Sequence, residues 1–286
     1  MADAQFPYTT RLREARVAAK RAGEDWNQIG DQALFYWDAI ISIPRALRLY
    51  KKETLRLIAE ISMGTGALAM IGGTVVVVGF LTLFTGGTIA VQGYSSLANI
   101  GVEALTGFFS AFINVRIAVP VISGIALAAT IGAGATAQLG AMRVSEEIDA
   151  LEVMAISSIP FLVSTRIVAG LVAIIPLYSL ASLASFLASR FATVFVYGQS
   201  PGVYDHYFDT FLIPSDILWS FVQAIAMAVA VMLIHTYYGF NASGGPVGVG
   251  VAVGNAVRAS LVVVVVITLL TSLAIYGSDG HFNLAG

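Results

Sequence analysis

Few residues of this 286-residue chain could carry out covalent chemistry. The chain has no cysteine, which excludes thiol catalysis, disulfides and thiolate metal sites. Its three lysines are Lys20, Lys51 and Lys52, and none lies in a glycine-rich loop, so a P-loop ATPase is excluded. Ser243, in an Asn-Ala-Ser-Gly-Gly run, could be a protease nucleophile, but it has no evident catalytic partner. These residues argue against an enzyme.

The three histidines, His206, His235 and His281, are far apart in the sequence. His206 lies in a Tyr-Asp-His-Tyr-Phe-Asp run, where a solvated polar loop is favoured over a metal site. His235 lies in an apolar segment, where an ionisable side chain is a functional candidate by default. A neutral hydrogen-bonding role is the favoured alternative for His235. We predict no metal site and leave the roles of both residues open.

A short acidic segment at 145–156 has the pattern of a docking helix. Ser145 could cap its start, and the acids that follow suit the positive first turn of a helix. Such a helix can dock into a groove on another protein, although the pattern alone favours an ordinary solvated loop helix. The candidate contact residues are Ser145, Glu146, Glu147, Ile148, Asp149, Leu151, Glu152 and Met154.

The composition determines the class of protein that these segments belong to. Hydrophobic residues make up 57% of the chain and charged residues 11%, with a mean hydropathy of +0.83, which predicts an all-α integral membrane protein. The net charge of −2 argues against nucleic-acid binding. Long uncharged runs predict five spanning helices, at about 65–93, 118–141, 166–190, 215–238 and 258–277.

The distribution of basic residues predicts the orientation of the chain. Segments 1–60, 142–166 and 239–258 hold 13 of the 15 lysines and arginines, so these segments are predicted to be cytoplasmic. The N-terminus is then cytoplasmic and the C-terminus extracytoplasmic. We divide the chain into a polar leader at 1–29, interfacial amphipathic helices at 30–60, and a transmembrane domain at 61–286. The basic face of 30–60 suits an anionic membrane surface, with packing on a partner protein as the alternative.

Small residues recur along one face of the second predicted span. They are Ala128, Gly132, Thr136 and Gly140, each four residues after the last. Another helix backbone can approach such a face closely. The sequence leaves open whether that helix belongs to the same chain or to a second subunit.

Two long runs carry a resemblance to a known family. Residues 132–154, Gly-Ala-Gly-Ala-Thr-Ala-Gln-Leu-Gly-Ala-Met-Arg-Val-Ser-Glu-Glu-Ile-Asp-Ala-Leu-Glu-Val-Met, resemble the signature of the MlaE/YrbE permeases of ABC transporters. Residues 238–250, Tyr-Gly-Phe-Asn-Ala-Ser-Gly-Gly-Pro-Val-Gly-Val-Gly, resemble the second cytoplasmic motif of that family. The detail of 86–94 and of 237–239 looks most like the B-type YrbE subunit of an actinobacterial (mycobacterial) Mce lipid-import system.

The resemblance implies an interfacial helix followed by five spanning helices in the bacterial inner membrane. It implies a second permease subunit, two ATPases that use ATP and Mg, and MCE-domain proteins forming an extracytoplasmic tunnel. No cofactor is expected on this chain itself. Residues 145–156 would be the coupling helix that contacts the ATPase. The substrate would be a fatty acid, a mycolic acid or a sterol, held in a cavity whose candidate residues are Phe80, Leu83, Phe84, Gln92 and Ile125. The alternatives are a membrane-embedded lipid-modifying enzyme and a scaffold without a transport role.

The chain departs from the family pattern at several charged positions. Uncharged Thr130 and Gln138 stand where the family usually has arginine and glutamate, and Ser157-Ser158 replaces Asp-Pro. Residues 116–120 read Arg-Ile-Ala-Val-Pro, whereas the family commonly has Arg-Glu-Leu-Gly-Pro. A buried ion pair is costly to break singly but cheap to replace as a whole. Because several charged positions are replaced together, we expect that this subunit lacks its own copy of a polar network. The hypothesis that follows is a non-identical permease partner.

Overall fold

The computed structural model describes residues 30–63 and 73–276. The predicted leader at 1–29, the beginning of the first predicted span and His281 lie outside the described residues. Three helices come first: α1 (30–41), α2 (Ile43–Leu49) and α3 (Lys51–Met63). Pro44 lies in the first turn of α2, where a backbone N–H would have no helical partner. Leu34, Trp37 and Ile41 of α1 are exposed, which fits a helix lying at a membrane surface.

Five apolar helical segments follow, each long enough to span a membrane: Thr74–Ala98, Glu103–Val144, Ile159–Val196, Pro214–Phe240 and Gly245–Ile275. Within them we number α4 (Thr74–Ala98), α5 (Thr106–Ile113), α6 (Val119–Leu127), α7 (Ala133–Val144), α9 (Thr165–Phe191), α11 (Pro214–Phe240) and α12 (Gly245–Thr271). Two short helices lie outside them, α8 (Glu147–Val153) and α10 (Pro201–Phe211). No strand occurs in the described residues, and the predicted all-α membrane class is confirmed.

Several predicted boundaries are wrong. The second helical segment begins at Glu103 instead of 118 and continues to Val144. Arg116 therefore lies inside it, where its Nη2 donates to Asp216 at 2.7 Å and the charge is neutralised. The fifth helix begins at Gly245 instead of 258, so Arg258 also lies inside a spanning helix. The predicted loop around His206 is helix α10, because Tyr204 and Phe208 pack one helical turn apart.

The second spanning helix is interrupted by two π-helical turns, Asn114–Ala118 and Ala128–Gly132. Pro120 follows the first of them and has no N–H to donate to the carbonyl of Arg116. Such turns shift the helix face that a residue presents and are frequent at functional sites. Along this segment, α5 and α6 contact α4 and α9, α6 also contacts α11 and α12, and α7 contacts α11 and α12.

The core is formed where this second helix, α9 and α11 meet. Leu127, Ile174 and Met227, one from each, are fully buried in one cluster. Helix α4 packs on α9, and α12 packs on α11 and α7. We call the end of the bundle that carries α8 the α8 end, and the opposite end the α10 end. The orientation of the two ends across a membrane stays a prediction.

Candidate functional site

Helix α8 lies at the end of the bundle between two residues whose backbone has the left-handed conformation. Glu146 (φ 59°) turns the chain sharply after α7, and Ala155 (φ 59°) turns it again after α8. The predicted capping role of Ser145 is wrong, because its Oγ donates to the Ala141 carbonyl at 3.0 Å and to Glu147 Oε1 at 2.9 Å. Since non-glycine residues rarely adopt this backbone conformation, the two turns define the direction of a very short helix.

The two faces of α8 have different partners. Ile148 is fully buried against Leu139 and Leu162 of its own chain, and Leu151 packs beside them. Ile148 therefore anchors the helix and is not available to a partner protein, contrary to the expectation that it contacts one. Glu147, Asp149 and Glu152 are exposed, as predicted for contact residues.

The tip of α8 is exposed and apolar. Val153 is 88% exposed and Met154 is 61% exposed. Met154 was a candidate from the sequence, but Val153 was missed. Its signal was available: Val153 lies five residues after Ile148, which places the two side chains on well-separated faces of a helix. An exposed apolar pair on a charged helix is the arrangement of a docking contact.

Two acidic side chains of α8 near this tip accept hydrogen bonds from neighbouring segments of the chain. Arg143 donates to Asp149 at 2.7 Å, and Ser158 Oγ donates to Glu152 at 2.7 Å. A groove of about 400 Å³ lies beside α8 and is lined on its other side by Asp38, Ser42 and Arg45. The surface at the α8 end is thus an apolar tip next to a polar groove that α1 and α2 complete.

The small-residue face of the second spanning helix (Ala128, Gly132, Thr136 and Gly140) packs against other helices of the same chain. A Cβ added to Gly132 would lie 2.6 Å from the His235 ring, and one added to Gly140 would lie 2.9 Å from Val249. Ala128 and Thr136 are fully buried. The structure thus places this face against α11 and α12, and the two long motifs at 132–154 and 238–250 contact each other.

His235 contributes to this contact between helices. Its Nδ1 lies 2.7 Å from Thr136 Oγ1, and Thr136 Oγ1 also donates to the His235 carbonyl at 3.0 Å. His235 is fully buried, and its Nε2 has no hydrogen-bond partner among the described residues. A ring held in this way joins α7 to α11, which agrees with the neutral hydrogen-bonding alternative.

Replacement of Gly132 tests this packing. We expect Gly132→Leu to lower the free energy of unfolding by roughly 1–3 kcal/mol, because the added side chain would overlap the His235 ring. Gly134→Leu on the same helix is the matched control, since a Cβ there meets nothing within 4 Å among the described residues. Thermal unfolding of the purified protein in detergent measures both. Equal stability of the two variants would contradict the packing.

A polar cluster joins the interfacial helix α3 to the bundle. Arg166 is 6% exposed and donates to the Leu162 carbonyl at 2.9 Å and to Gln138 Oε1 at 3.5 Å. Gln138 Nε2 in turn donates to Glu60 Oε1 at 3.3 Å. Nearby on α3, hydrogen bonds from Arg56 hold the pKa of Glu53 below its ordinary value. Uncharged Gln138 therefore takes part in a polar network with Arg166 and Glu60.

An apolar cleft of about 570 Å³ lies between α4 and α9, towards the α10 end. Three of the five cavity candidates line it: Phe80, Leu83 and Phe84. The opposite wall is formed by Leu187, Phe191 and Phe195, which the sequence analysis missed. Gln92 and Ile125 are not among the lining residues, so the second wall comes from the third spanning helix instead of the second.

Hydrogen bonds explain why α9 forms that wall. Ser189 Oγ donates to the Gly86 carbonyl at 2.8 Å, and Asn114 accepts from Ser185 at 2.6 Å and donates to Ser189 at 3.0 Å. A Cβ at Gly86 would lie 2.4 Å from the Ser185 carbonyl oxygen, so glycine is needed for this approach. These contacts hold α4 against α9, and the phenylalanines line the opening beside them.

Arg190 lies at the rim of the cleft. Its Nε and Nη2 donate to the two carboxylate oxygens of Asp205 on α10, at 2.8 and 2.9 Å. This hydrogen-bonded guanidinium holds the pKa of Asp205 below its ordinary value. The pair ties α10 to the end of α9 and places a charged rim next to an apolar interior.

Metal chemistry has no support among residues 30–63 and 73–276. No group of three or more histidine, aspartate or glutamate side chains there could hold a metal ion. His206 is exposed on α10, and His235 is enclosed by α7.

Comparison with known proteins assigns the chain to a family. Residues 63–274, which is more than half of the chain, match the family described as Permease MlaE. The chain belongs to the MlaE permease family. It is therefore a permease subunit and not an enzyme, and its five apolar helices make it a multi-pass membrane protein.

Relatives of this MlaE permease come from bacteria and plastids. A probable ABC transporter permease protein of Rickettsia bellii is 27% identical over 155 residues, 54% of this chain and 60% of the relative. One of Synechocystis is 24% identical over 169 residues, 59% of this chain and 64% of the relative. The chloroplastic protein trigalactosyldiacylglycerol 1 of Arabidopsis thaliana is 30% identical over 143 residues, 50% of this chain and 41% of the relative. The match thus spans less than two thirds of each relative's length.

Proposed function

We propose that this chain is the transmembrane permease subunit of an ATP-driven lipid transporter of the Mce type in a bacterial inner membrane. The observation that carries the permease role is the MlaE match over residues 63–274. The bacterial relatives are named ABC transporter permeases, and the plant relative carries the name of a galactolipid. The Mce subtype is supported by the sequence at 86–94 and 237–239.

The proposed ATPase contact is the tip of α8. Val153 and Met154 would enter a groove of the ATPase, and the exposed acids around them would orient it. ATP and Mg are used by that partner and not by this chain. Because Ile148 joins α8 to α7, and His235 joins α7 to α11, a push on α8 would move these helices together as a rigid body.

The proposed substrate site is the cleft between α4 and α9. Its walls are phenylalanine and leucine side chains, which suit the acyl or sterol part of a lipid. A fatty acid, a mycolic acid and a sterol all fit this chemistry. A lipid gains little free energy on leaving one apolar surface for another, so the direction of transport would come from the ATPase cycle. MCE-domain proteins would receive or supply the lipid at the α10 end.

The test is purification of the native complex through a tag on this chain. We expect mass spectrometry to find an ATPase, a second permease of different sequence, MCE-domain proteins and a co-purified lipid. Lipid uptake that continues after deletion of this chain would instead indicate a scaffold. Lipid modification by the purified chain without ATP would indicate an enzyme. This permease alone, at two copies per complex, would contradict the non-identical partner.

A further inference from the structure

Arg258 lies inside the apolar layer of the bundle. A Cβ added to Gly140 would lie 2.9 Å from Val249 of α12, and one added to Gly124 would lie 3.2 Å from Val264. Within each pair, the two residues therefore lie at the same depth in the bundle. Arg258 lies nine residues after Val249, or about 13 Å along the helix axis at 1.5 Å per residue. No other residue of α12 (Gly245–Thr271) is an aspartate, glutamate, lysine or arginine.

The surroundings of Arg258 leave its charge without a counterion among the described residues. Its Nε donates to the Gly254 carbonyl at 3.2 Å and its Nη2 to Asn255 Oδ1 at 2.6 Å, both on its own helix. The side chain is exposed, and α12 lies in the least buried of the five spanning segments. A guanidinium that faces lipid at this depth is costly, so such residues normally face protein or water.

The same face of α12 allows another helix to come close. Gly250 and Gly254 precede Arg258 at intervals of four residues, and a Cβ at either would meet nothing within 4 Å among the described residues. The small-residue face of the second spanning helix differs from this one, because Gly132 and Gly140 there already pack against α11 and α12. The face formed by Gly250, Gly254 and Arg258 is therefore open and bears a charge, and a helix backbone could approach it.

The described residues of a second copy of this chain offer no free carboxylate at the depth of Arg258. The acidic residues in the spanning segments are Glu103 and Asp216, both at the α10 end, and Asp216 already binds Arg116. In a two-fold symmetric pair, residues near the axis meet their own copies, so two arginines would face each other. Like charges at this depth are unfavourable.

We propose that the face formed by Gly250, Gly254 and Arg258 packs against a membrane helix of a non-identical permease chain, which presents an aspartate or glutamate to Arg258. This inference rests on the proposed permease function and adds to it the surface and the charge pairing that select the partner. An intramembrane ion pair then distinguishes the correct permease from a second copy of this chain.

Cross-linking in the native complex tests the identity of the partner. Val251 is 56% exposed beside this face, and a Val251→Cys variant has a unique thiol because the chain contains no cysteine. After labelling with benzophenone-maleimide and irradiation, we expect an adduct with a permease of different sequence, on a membrane peptide containing aspartate or glutamate. The control is Leu183→Cys on α9, an exposed position on a different helix, which should give no adduct with that permease. Adducts of Val251→Cys with a second copy of this chain, with another protein or only with lipid would overturn the proposal.

Replacement of Arg258 tests the charge. We expect Arg258→Leu to lower the amount of co-purified second permease about fivefold or more, because the partner's carboxylate would be left unpaired in the membrane. Arg258→Lys keeps the charge and should retain most of the partner. The level of this chain should not fall in either variant, since leucine inserts more favourably than arginine and lysine inserts at a similar cost to arginine. Full retention of the partner by Arg258→Leu would overturn the pairing. ATPase co-purification with the wild-type chain separately tests the proposed function.

Discussion

Val153→Asp should remove the ATPase from the purified complex while the permease stays folded in the membrane. Val153 is 88% exposed at the tip of α8, so a charge there disturbs no contact within the described chain. In a docking groove the same charge would be desolvated without a partner, which costs enough to reduce the co-purified ATPase by roughly tenfold or more. The ratio of ATPase to permease, measured by quantitative mass spectrometry, reports the loss.

Two further variants separate docking from folding. Val247→Asp makes the same change at a similarly exposed valine near the same end of the bundle, outside α8, and should retain the ATPase. Ile148→Asp should lower the amount of permease itself, because Ile148 is fully buried against Leu139 and Leu162. If Val153→Asp co-purifies a normal amount of ATPase, α8 is not the coupling contact.

Phe84→Gln should impair lipid uptake by about tenfold, an effect that corresponds to the loss of one large apolar contact. Phe84 lines the cleft between α4 and α9 and is 72% exposed, so little packing within the described chain depends on it. A polar amide in the cleft would remain unpaired once a lipid covers it. Uptake of a labelled fatty acid or sterol by cells carrying the variant is the measurement.

The matched control for the cleft is Leu183→Gln. Leu183 lies on α9 and is 63% exposed, but it is not among the residues that line the cleft. Both variants place the same amide on an exposed face of a spanning helix, so their insertion costs are comparable. We expect normal uptake for Leu183→Gln and normal amounts of complex for both. Equal uptake by the two variants would remove the α4–α9 cleft from the transport path.

The polar network at the α8 end shows how uncharged Gln138 connects two charged residues of this chain. The uncharged residues Thr130, Gln138 and Ser157-Ser158 led to the expectation that this subunit lacks its own copy of a charged network. Arg166 nevertheless remains, buried, and Gln138 links it to Glu60 of α3. An amide can accept from the guanidinium and donate to the carboxylate at once, so the interfacial helix stays tied to the bundle without a direct ion pair.

The sequence by itself determined the class and the family of this protein. Uncharged runs longer than a bilayer's thickness predict five spanning helices whatever their packing, since charged groups are costly in lipid. The missing cysteines and the lysines outside any glycine-rich loop excluded thiol and P-loop chemistry directly. The motif at 132–154 also identified α8 as the segment to examine.

Only the tertiary structure decided which faces of these helices are free. In a soluble protein the polar face of a helix marks the surface, but in a membrane both the core and the lipid-facing side are apolar. Periodicity separated the faces of Ile148 and Val153 but could not tell which of them packs on the chain's own helices, and it could not tell that Phe84 lines a cleft with α9 instead of the second spanning helix. It also could not place Arg258 within the apolar layer, because the start of α12 is set by the turn at Gly244 and Gly245, both in the left-handed region.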